Sequence, residues 1–474
     1  MIPRRFLFPL ALFSTGALQA STLYWDNPAA DSTADPVVIV NWTDAANWST
    51  DAAGLLESAL APGSADDAVF NSTPLNALST AIRVNTSGIA VNSLTFNSAG
   101  STNLTGTGNQ QLTIYGGGLT SNAGAGAVTF GTSAANRNIS VRFQESQTWT
   151  NNSSNTVNIR NNAAGADTAT GNVVLTFNNT GSGQISNSGA FGDGDSGFNL
   201  GLVVDSSGAG AVSINGGTYT GGTTVRRGLL IQNGGSQIGT GGVTLGNTSG
   251  SETATLRLNT STVQTSSLNV QSGNTGTSAL QFSSSTAGGW DGAIQLDNAL
   301  SVQVRGSNIT TISGDVTGVG SLSKDAYTAA VGNGGTLIMS GNLSYTGNTT
   351  INAGSFQLAS TAMMTFFIGE NGENNTLGGT ATADIDGTFV FNLTNAAAQD
   401  GNSWQIVDVD GLTETYGSNF NVQGFTGGNG VWTSGGYTFT EADGLLTFVV
   451  PEPGSALLAA GGVLLLGLRR RRGV

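Results

Sequence analysis

The segments Tyr219-Thr-Gly-Gly-Thr-Thr-Val-Arg-Arg-Gly-Leu-Leu230 and Tyr345-Thr-Gly-Asn-Thr-Thr-Ile-Asn-Ala-Gly-Ser-Phe356 share one pattern and begin 126 residues apart. The pattern is a tyrosine, a Thr-Gly turn, a short β-branched run and a glycine before the next strand. β-Branched residues favour strands, and the glycine allows a corner at which the chain changes direction. Units of this kind stack into a parallel β-helix, in which each turn buries apolar side chains against its neighbours.

The best copies of this repeat span residues 217–231 and 343–358, and shorter runs with the same alternation of apolar and polar residues lie around them. Examples are Ser93–Phe96, Leu112–Ile114, Val128–Phe130, Val173–Phe177, Val243–Leu245, Leu256–Leu258 and Leu337–Met339. A period of two buries one face of each strand, and no part of the body sustains a helical period. The sequence therefore predicts an all-β solenoid over residues 71–384, with roughly 13 to 16 turns of about 20 to 25 residues.

The composition excludes several classes of chemistry. The 474 residues include 71 glycines but no histidine and no cysteine, and Lys324 is the only lysine. Catalytic triads with histidine, cysteine nucleophiles, Cys/His zinc sites and disulfides are therefore impossible. The formal net charge of −14 argues against nucleic acid as a partner, because binding it requires a basic surface.

The N-terminus has the features of a secretory signal peptide over residues 1–20. Arg4 and Arg5 form its charged region, Phe6–Phe13 its apolar stretch, and Ala20 ends a cleavage site with a small residue last. The alternative is an ordinary buried segment, but the apolar run does not continue past Ala20. The sequence therefore predicts export.

The C-terminus, residues 451–474, combines three features in order. Pro451, Glu452 and Pro453 precede an apolar stretch over residues 455–468, and a cluster of four arginines follows: Arg469, Arg470, Arg471 and Arg472. A 14-residue helix rises only about 21 Å, which is short of a hydrocarbon core of about 30 Å. The arginines would hold the terminus on the cytoplasmic side of the membrane.

This tail resembles the PEP-CTERM sorting signal. The resemblance implies recognition of the Pro451-Glu452-Pro453 motif by exosortase, a membrane transpeptidase-like enzyme of bacteria that make extracellular polysaccharide. It also implies that the short helix and Arg469 to Arg472 retain the chain in the inner membrane only until the protein is processed. A simple tail anchor is the alternative.

The Tyr-Thr-Gly repeat resembles the autotransporter-associated β-strand repeat of bacterial surface and secreted proteins. The opening of the chain, with Tyr24-Trp25-Asp26, Asn41-Trp42, Ala46-Asn47-Trp48 and Asp66–Phe70, is similar to the opening of many such proteins. The resemblance implies a right-handed parallel β-helix and a place at the cell surface or outside the cell.

A solenoid needs covered ends, because its terminal turns expose unpaired strand edges. We expect residues 21–70 to form an N-terminal β cap with Trp25, Trp42 and Trp48 in its core; sugar stacking by these rings is the alternative. Residues 385–450 contain longer strands and are expected to form a C-terminal β cap or a small β domain.

Candidate metal and cofactor sites are few. Gly192–Gly197 satisfies a Gly-x-Gly-x-x-Gly pattern, but no helix pattern follows, so no dinucleotide site is assigned. Asp193 with Asp195, and Asp408 with Asp410, alternate in glycine-containing loops that could hold Ca²⁺, although solvated turns use the same residues. The sequence therefore assigns no metal and no cofactor.

A β-helix can also be a polysaccharide lyase or glycosidase. Hydrolysis requires two carboxylates about 5 to 9.5 Å apart, whereas the adjacent Asp66 and Asp67 should point to opposite faces of a strand. The basic residues of the body are scattered along it: Arg83, Arg137, Arg142, Arg160, Arg226, Arg227, Arg257, Arg305 and Lys324. The sequence therefore favours a secreted, non-enzymatic structural protein of the cell surface or extracellular matrix, associated with exopolysaccharide. A glycan-binding adhesin and a β-helix lyase or glycosidase are the alternatives.

Overall fold

The structure is a computed structural model, and it describes residues 20–26, 40–71, 80–132, 137–284, 288–327 and 334–450. Within these residues the protein is all-β and forms a solenoid of about twelve turns with parallel strand pairing. The only helix in this part of the chain is one 3-10 turn, Ala45–Asn47. The sequence prediction of an all-β parallel solenoid is confirmed.

The strands of the described residues are, in chain order, β1 Thr22–Trp25, β2 Val40–Asn41, β3 Trp48–Ser49, β4 Asp67–Phe70, β5 Thr80–Val84, β6 Ile89–Phe96, β7 Thr102–Gly106, β8 Gln110–Ser121, β9 Val128–Phe130, β10 Ile139–Phe143, β11 Gln147–Asn151, β12 Val157–Ile159, β13 Ala163–Gly165, β14 Val173–Asn179, β15 Ile185–Asn187, β16 Phe191–Gly192, β17 Leu200–Asp205, β18 Val212–Ile214, β19 Thr223–Asn233, β20 Val243–Leu245, β21 Ala254–Asn259, β22 Val263–Gln264, β23 Leu268–Val270, β24 Ser278–Phe282, β25 Gly289–Trp290, β26 Ile294–Leu296, β27 Leu300–Val304, β28 Ile309–Ile312, β29 Val316–Gly318, β30 Leu322–Ala326, β31 Thr336–Met339, β32 Asn342–Tyr345, β33 Thr349–Ile351, β34 Ser355–Leu358, β35 Met363–Phe367, β36 Leu377–Gly379, β37 Thr382–Ile385, β38 Thr388–Asn392, β39 Ser403–Gln405, β40 Thr413–Tyr416, β41 Asn421–Val422, β42 Thr426–Gly428, β43 Val431–Ser434, β44 Tyr437–Thr440 and β45 Leu445–Phe448.

The solenoid strands form three parallel ladders, here called faces A, B and C. Face A runs through β4, β6, β8, β11, β14, β17, β19, β20, β23, β26, β29, β32, β35, β38 and β41. Face B runs through β5, β7, β9, β12, β15, β18, β19, β21, β24, β27, β30, β33 and β36. Face C contains β10, β13, β16, β22, β25, β28, β31, β34, β37 and β40, and the first parts of β6 and β8. The long strands β6, β8 and β19 each bend through a corner and contribute to two faces.

Inward and outward side chains alternate along each strand, so one side of the strand faces the core of the solenoid. In β14, Val173, Leu175 and Phe177 are buried while Val174 between them is 39% exposed. Inward residues of one turn lie on those of the next, because Leu175 pairs with Leu202 and Phe177 with Val204. The resulting apolar column is continuous from turn to turn, and it supplies the area burial that stabilises the fold.

The turns vary in length more than the expected range of about 20 to 25 residues, and many are longer. Val212 pairs with Leu230 and Thr388 with Asn421, so a turn after the N-terminal cap uses between 18 and 33 residues. About twelve turns are present, slightly fewer than the roughly 13 to 16 expected. The additional residues lie in the corners between faces, where strand periodicity gives no measure of length.

The N-terminal cap is built around tryptophans. Strand β1 pairs antiparallel with β3 and parallel with β4, which starts the ladder of face A. Trp25, Trp42 and Trp48 are 0 to 1% exposed and surround Phe70, with ring centroids 4.9 to 6.2 Å apart. The predicted tryptophan core is confirmed, and rings buried to this extent have no face available for stacking on a sugar.

The parallel ladders continue past residue 384. Strand β38 pairs with β35 and then with β41, which ends at Val422, and β40 pairs with β37 on face C. The rest of this region is an antiparallel sheet in the order β39-β45-β44-β43-β42. Phe439 of that sheet packs its ring 5.9 Å from Phe389 and 5.5 Å from Phe391, so the sheet contacts the end of the solenoid core.

Candidate functional site

The residues of the predicted sorting motif, Pro451, Glu452 and Pro453, and the retention cluster Arg469 to Arg472 lie outside the described residues. The predicted signal peptide also lies outside them, except that Ala20 is the first described residue and is exposed. Among the residues that the structure describes, there is no candidate membrane-spanning helix.

The tyrosine of the repeat holds its own turn together in the core. The Tyr219 hydroxyl lies 2.6 Å from the Thr223 hydroxyl and donates to the Ile238 carbonyl at 2.9 Å. The Tyr345 hydroxyl makes the same contact with Thr349. Burial raises the pKa of both phenols above the usual range. The spacing of four residues thus places the tyrosine and threonine hydroxyls in a hydrogen bond inside the core. These two side chains do not form a ligand site.

The repeat glycines occupy the predicted corners. Gly228 has φ 88° and Gly354 has φ 71°, a region that other residues avoid. A Cβ at Gly228 would lie 2.7 Å from the Ser206 carbonyl oxygen, and one at Gly354 would lie 1.6 Å from that of Gly334. Both the positive φ and the close approach expected from the sequence are confirmed.

Acidic side chains join successive turns. Asp67 accepts hydrogen bonds from Asn92 and Ser93, which lie in the next turn of face A, at 2.8 and 2.6 Å. Asp193 accepts from the backbone and hydroxyl of Thr220, 27 residues further along, and from the Leu200 amide. Five further aspartates accept from a neighbouring turn: Asp291, Asp315, Asp325, Asp384 and Asp386.

The remaining candidate carboxylates also have structural partners. Asp66 accepts from the backbone amides of Ser21 and Gly63 at 3.0 and 2.9 Å. Its neighbour Asp67 accepts its hydrogen bonds from side chains of the next turn, so the two carboxylates have different surroundings and do not act on one site. Burial and the charges of Glu57 and Asp51 raise the pKa of Asp26 in the N-terminal cap.

The loop of Asp193 and Asp195 borders a polar groove on face C of about 480 Å³. Asp167 and Arg142 from earlier turns also line it, and the Asp167 carboxylate accepts from the Asp195 amide at 3.1 Å. In the ranges that the structure covers, no three acidic side chains converge to hold a metal ion, either here or around Asp408 and Asp410. The groove has no assembled calcium site.

A second groove, here called the face-B groove, has a volume of about 330 Å³ and a basic character. It is lined by Gln184, Ser213, Ile231, Asn233, Arg257, Asn259, Ser283, Arg305 and Tyr327. The Arg257 Nε donates to the Gln281 side chain at 2.8 Å, and its guanidinium lies 5.7 Å from the centroid of the Tyr327 ring. Arg305 is exposed at the same groove.

Strand pairing brings these basic residues together from distant positions. Arg257 pairs with Gln281 and Gln281 with Gln303, so a residue two turns further along, Arg305, reaches the same side of the solenoid. The sequence alone does not indicate this proximity, because the two arginines lie 48 positions apart. Knowledge of the local turn length, 24 and then 22 residues here, would have aligned them.

The lone lysine is buried. Lys324 lies in β30 at an inward position between Val302 and Ile351 of the adjacent turns, and it is 0% exposed. Its Nζ donates to the Ala353 carbonyl at 3.0 Å. Burial lowers the pKa of Lys324 to about 8, although the nearby charge of Asp325 acts in the opposite direction. A side chain without access to solvent is unsuited to binding a ligand.

Comparison of the chain with known protein families, with curated proteins and with solved structures finds no match. The features that bear on function are therefore those of the fold itself: carboxylates that join turns, a polar groove on face C and a basic groove on face B.

Proposed function

We propose that this protein is a secreted, non-enzymatic structural protein of the cell surface or extracellular matrix, associated with exopolysaccharide. A signal peptide cleaved after Ala20 exports it. The tail holds it briefly in the inner membrane until an exosortase-type enzyme processes it at Pro451-Glu452-Pro453. The solenoid is right-handed, as in the proteins whose repeat it resembles.

The use of the carboxylates supports this proposal most directly. A glycosidase needs a pair of carboxylates free to reach one sugar linkage. Here Asp67, Asp193 and Asp325 each accept two or more hydrogen bonds within the solenoid. Hydrogen bonds between successive turns stabilise a stacked repeat, which is the property that a scaffold needs.

The proposal is tested with the mature protein purified from the surface of its native host and the exopolysaccharide of the same host. We expect the protein to sediment with the polysaccharide and to leave the chain-length distribution of the polymer unchanged after prolonged incubation. Shortened chains or new reducing ends would show that the protein is an enzyme. Failure to sediment with the polymer would contradict the proposed association.

A glycan-binding adhesin is the second candidate, and the face-B groove is the observation that favours it. The groove exposes Arg305, Asn259 and Gln184, whose side chains donate hydrogen bonds that sugar hydroxyls and carboxylates accept. A structural protein that binds its polysaccharide at one defined site would combine both roles.

A further inference from the structure

The two arginines of the face-B groove, Arg257 and Arg305, form no ion pair with an acidic side chain of the described residues. Ion pairs in those residues join Arg226 and Arg227 to Asp205. The chain as a whole is acidic, with 29 acidic and 15 basic residues. Two guanidinium groups that line one small groove repel each other, and an anion bound between them would remove that repulsion.

The groove is elongated across the turns. Its lining includes Ser213, Asn233, Asn259, Ser283 and Arg305, which come from five successive rungs of face B. Four spacings of about 4.8 Å between neighbouring strands give a length of about 19 Å. A groove of this length fits several units of a chain molecule and exceeds a single sugar.

The Arg257 side chain is held in a fixed orientation. Gln281 accepts from its Nε, and Gln281 in turn donates to Gln303 at 2.9 Å, so the hydrogen-bonded row extends over two further turns. The Tyr327 ring lies against the guanidinium, a contact that stabilises the cation. The terminal nitrogens of Arg257 therefore keep a geometry suited to a carboxylate, which an arginine binds through two parallel hydrogen bonds.

We propose that the face-B groove binds a polysaccharide chain that carries carboxylate groups, laid along the solenoid axis across successive turns. Arg257 and Arg305 bind carboxylates. The amides of Asn259 and Asn233 already donate one hydrogen bond each, to Asn233 and Ser213, and bind hydroxyls through their second N–H. This inference rests on the proposed association with polysaccharide and names the site and the sugar class. Asp325 lies one rung beyond Gln303, and its carboxylate bounds the positive region on that side.

The test measures binding of a fluorescent oligogalacturonate to the full mature protein, with a neutral maltooligosaccharide of the same length as the reference probe. Wild type should bind the oligogalacturonate at least tenfold more tightly, and Arg305→Gln should weaken it about tenfold, since a charge-assisted pair contributes about 1.4 kcal/mol. Arg257→Gln should weaken it as much or more. Arg83→Gln, at an arginine of β5 on the same face but several turns away, should change it less than twofold.

Four results would overturn the proposal. Equal binding of the two probes would exclude carboxylate recognition. Equal losses of affinity in Arg83→Gln and Arg305→Gln would indicate attraction by diffuse charge and not binding in the groove. Tighter binding of dextran sulfate would indicate that the protein binds any polyanion. Circular dichroism of each variant checks the fold. If Arg305→Gln still sediments with the host polysaccharide like wild type, the proposed matrix association stands and this groove is not its site.

Discussion

Gly228 shows how a single residue sets the path of the chain between two faces. It follows Val225 on face A and precedes Leu230 on face B, and its positive φ turns the strand. A side chain at this position would destabilise the fold for two reasons: the positive φ would strain the backbone, and the Cβ would contact Ser206.

Substitution at Gly228 should therefore destabilise the protein by more than backbone strain alone. We expect Gly228→Ala to lower the free energy of unfolding by about 2 to 3 kcal/mol, the upper part of the range for a strained backbone. Gly197, with φ 82° and nothing near its missing Cβ, is the matched control, and Gly197→Ala should cost about 1 kcal/mol. Chemical denaturation measures both; equal losses would mean that the Ser206 contact contributes nothing.

Lys324 should make stability depend on pH above neutrality. Its pKa of about 8 in the fold lies below its ordinary value of 10.5, so the unfolded chain binds more protons between these values. The free energy of unfolding should consequently rise as the pH rises from 8 toward 10. The buried phenols of Tyr219 and Tyr345, whose pKa values are raised, reverse this trend at higher pH.

The variant Lys324→Met tests this linkage, because methionine fills a similar volume and does not titrate. We expect urea denaturation of Lys324→Met to give a nearly constant free energy of unfolding from pH 7.5 to 9.5, while that of wild type rises. Parallel curves for the two proteins would show that another group titrates.

At the scale of an element, the two copies of the repeat occupy different corners. The first runs from Thr223 on face A to Leu230 on face B, whereas the second runs from Thr349 on face B to Phe356 on face C. The same twelve-residue pattern thus builds corners that differ in position but share one geometry. This explains why the offset between the copies is not a whole number of turns.

The Asp193 loop is expected to act as an inter-turn link and not as a calcium site. Asp193→Ala would remove the acceptor for the amides of Leu200 and Thr220 and should cost about 1 kcal/mol of stability. Asp193→Asn keeps one carbonyl oxygen and should cost less. Addition of millimolar CaCl₂ should leave the melting temperature of wild type unchanged; a calcium-dependent rise that Asp193→Asn abolishes would restore the metal site.

The sequence predicted features that depend on local chemistry and missed those that depend on spacing. The glycine corner at Gly228 and the burial of Trp48 follow from backbone freedom and apolar character. The number of turns does not, because corners vary in length without any periodic signal. The face-B groove was missed for the same reason: Arg257 and Arg305 become neighbours only through the lengths of the intervening turns.

At the scale of the whole molecule, processing of the tail is expected to decide whether the protein stays in the inner membrane or reaches the cell surface. In the native host, Glu452→Ala and Pro453→Ala should leave uncleaved precursor in the inner membrane, because both residues belong to the motif that the exosortase-type enzyme is proposed to recognise. Replacement of Arg469 to Arg472 by glutamine should weaken retention before cleavage.

Intact-mass measurement of the surface protein decides this prediction. The wild-type mass should lack the apolar helix and the arginine cluster. Asp443→Asn, at an exposed carboxylate outside the tail, is the control and should be processed normally. A wild-type mass that includes Val474 would exclude processing and leave the tail anchor.

The burial of Lys324 has a practical consequence for imaging. The chain has no other lysine, and this one is 0% exposed. If the signal peptide is cleaved after Ala20 as proposed, amine-reactive dyes reach one accessible primary amine on the folded protein, the new α-amino group of Ser21 at the N-terminal cap. Each molecule would carry a single fluorophore at a known end, which allows super-resolution microscopy to determine which end of the solenoid faces away from the cell.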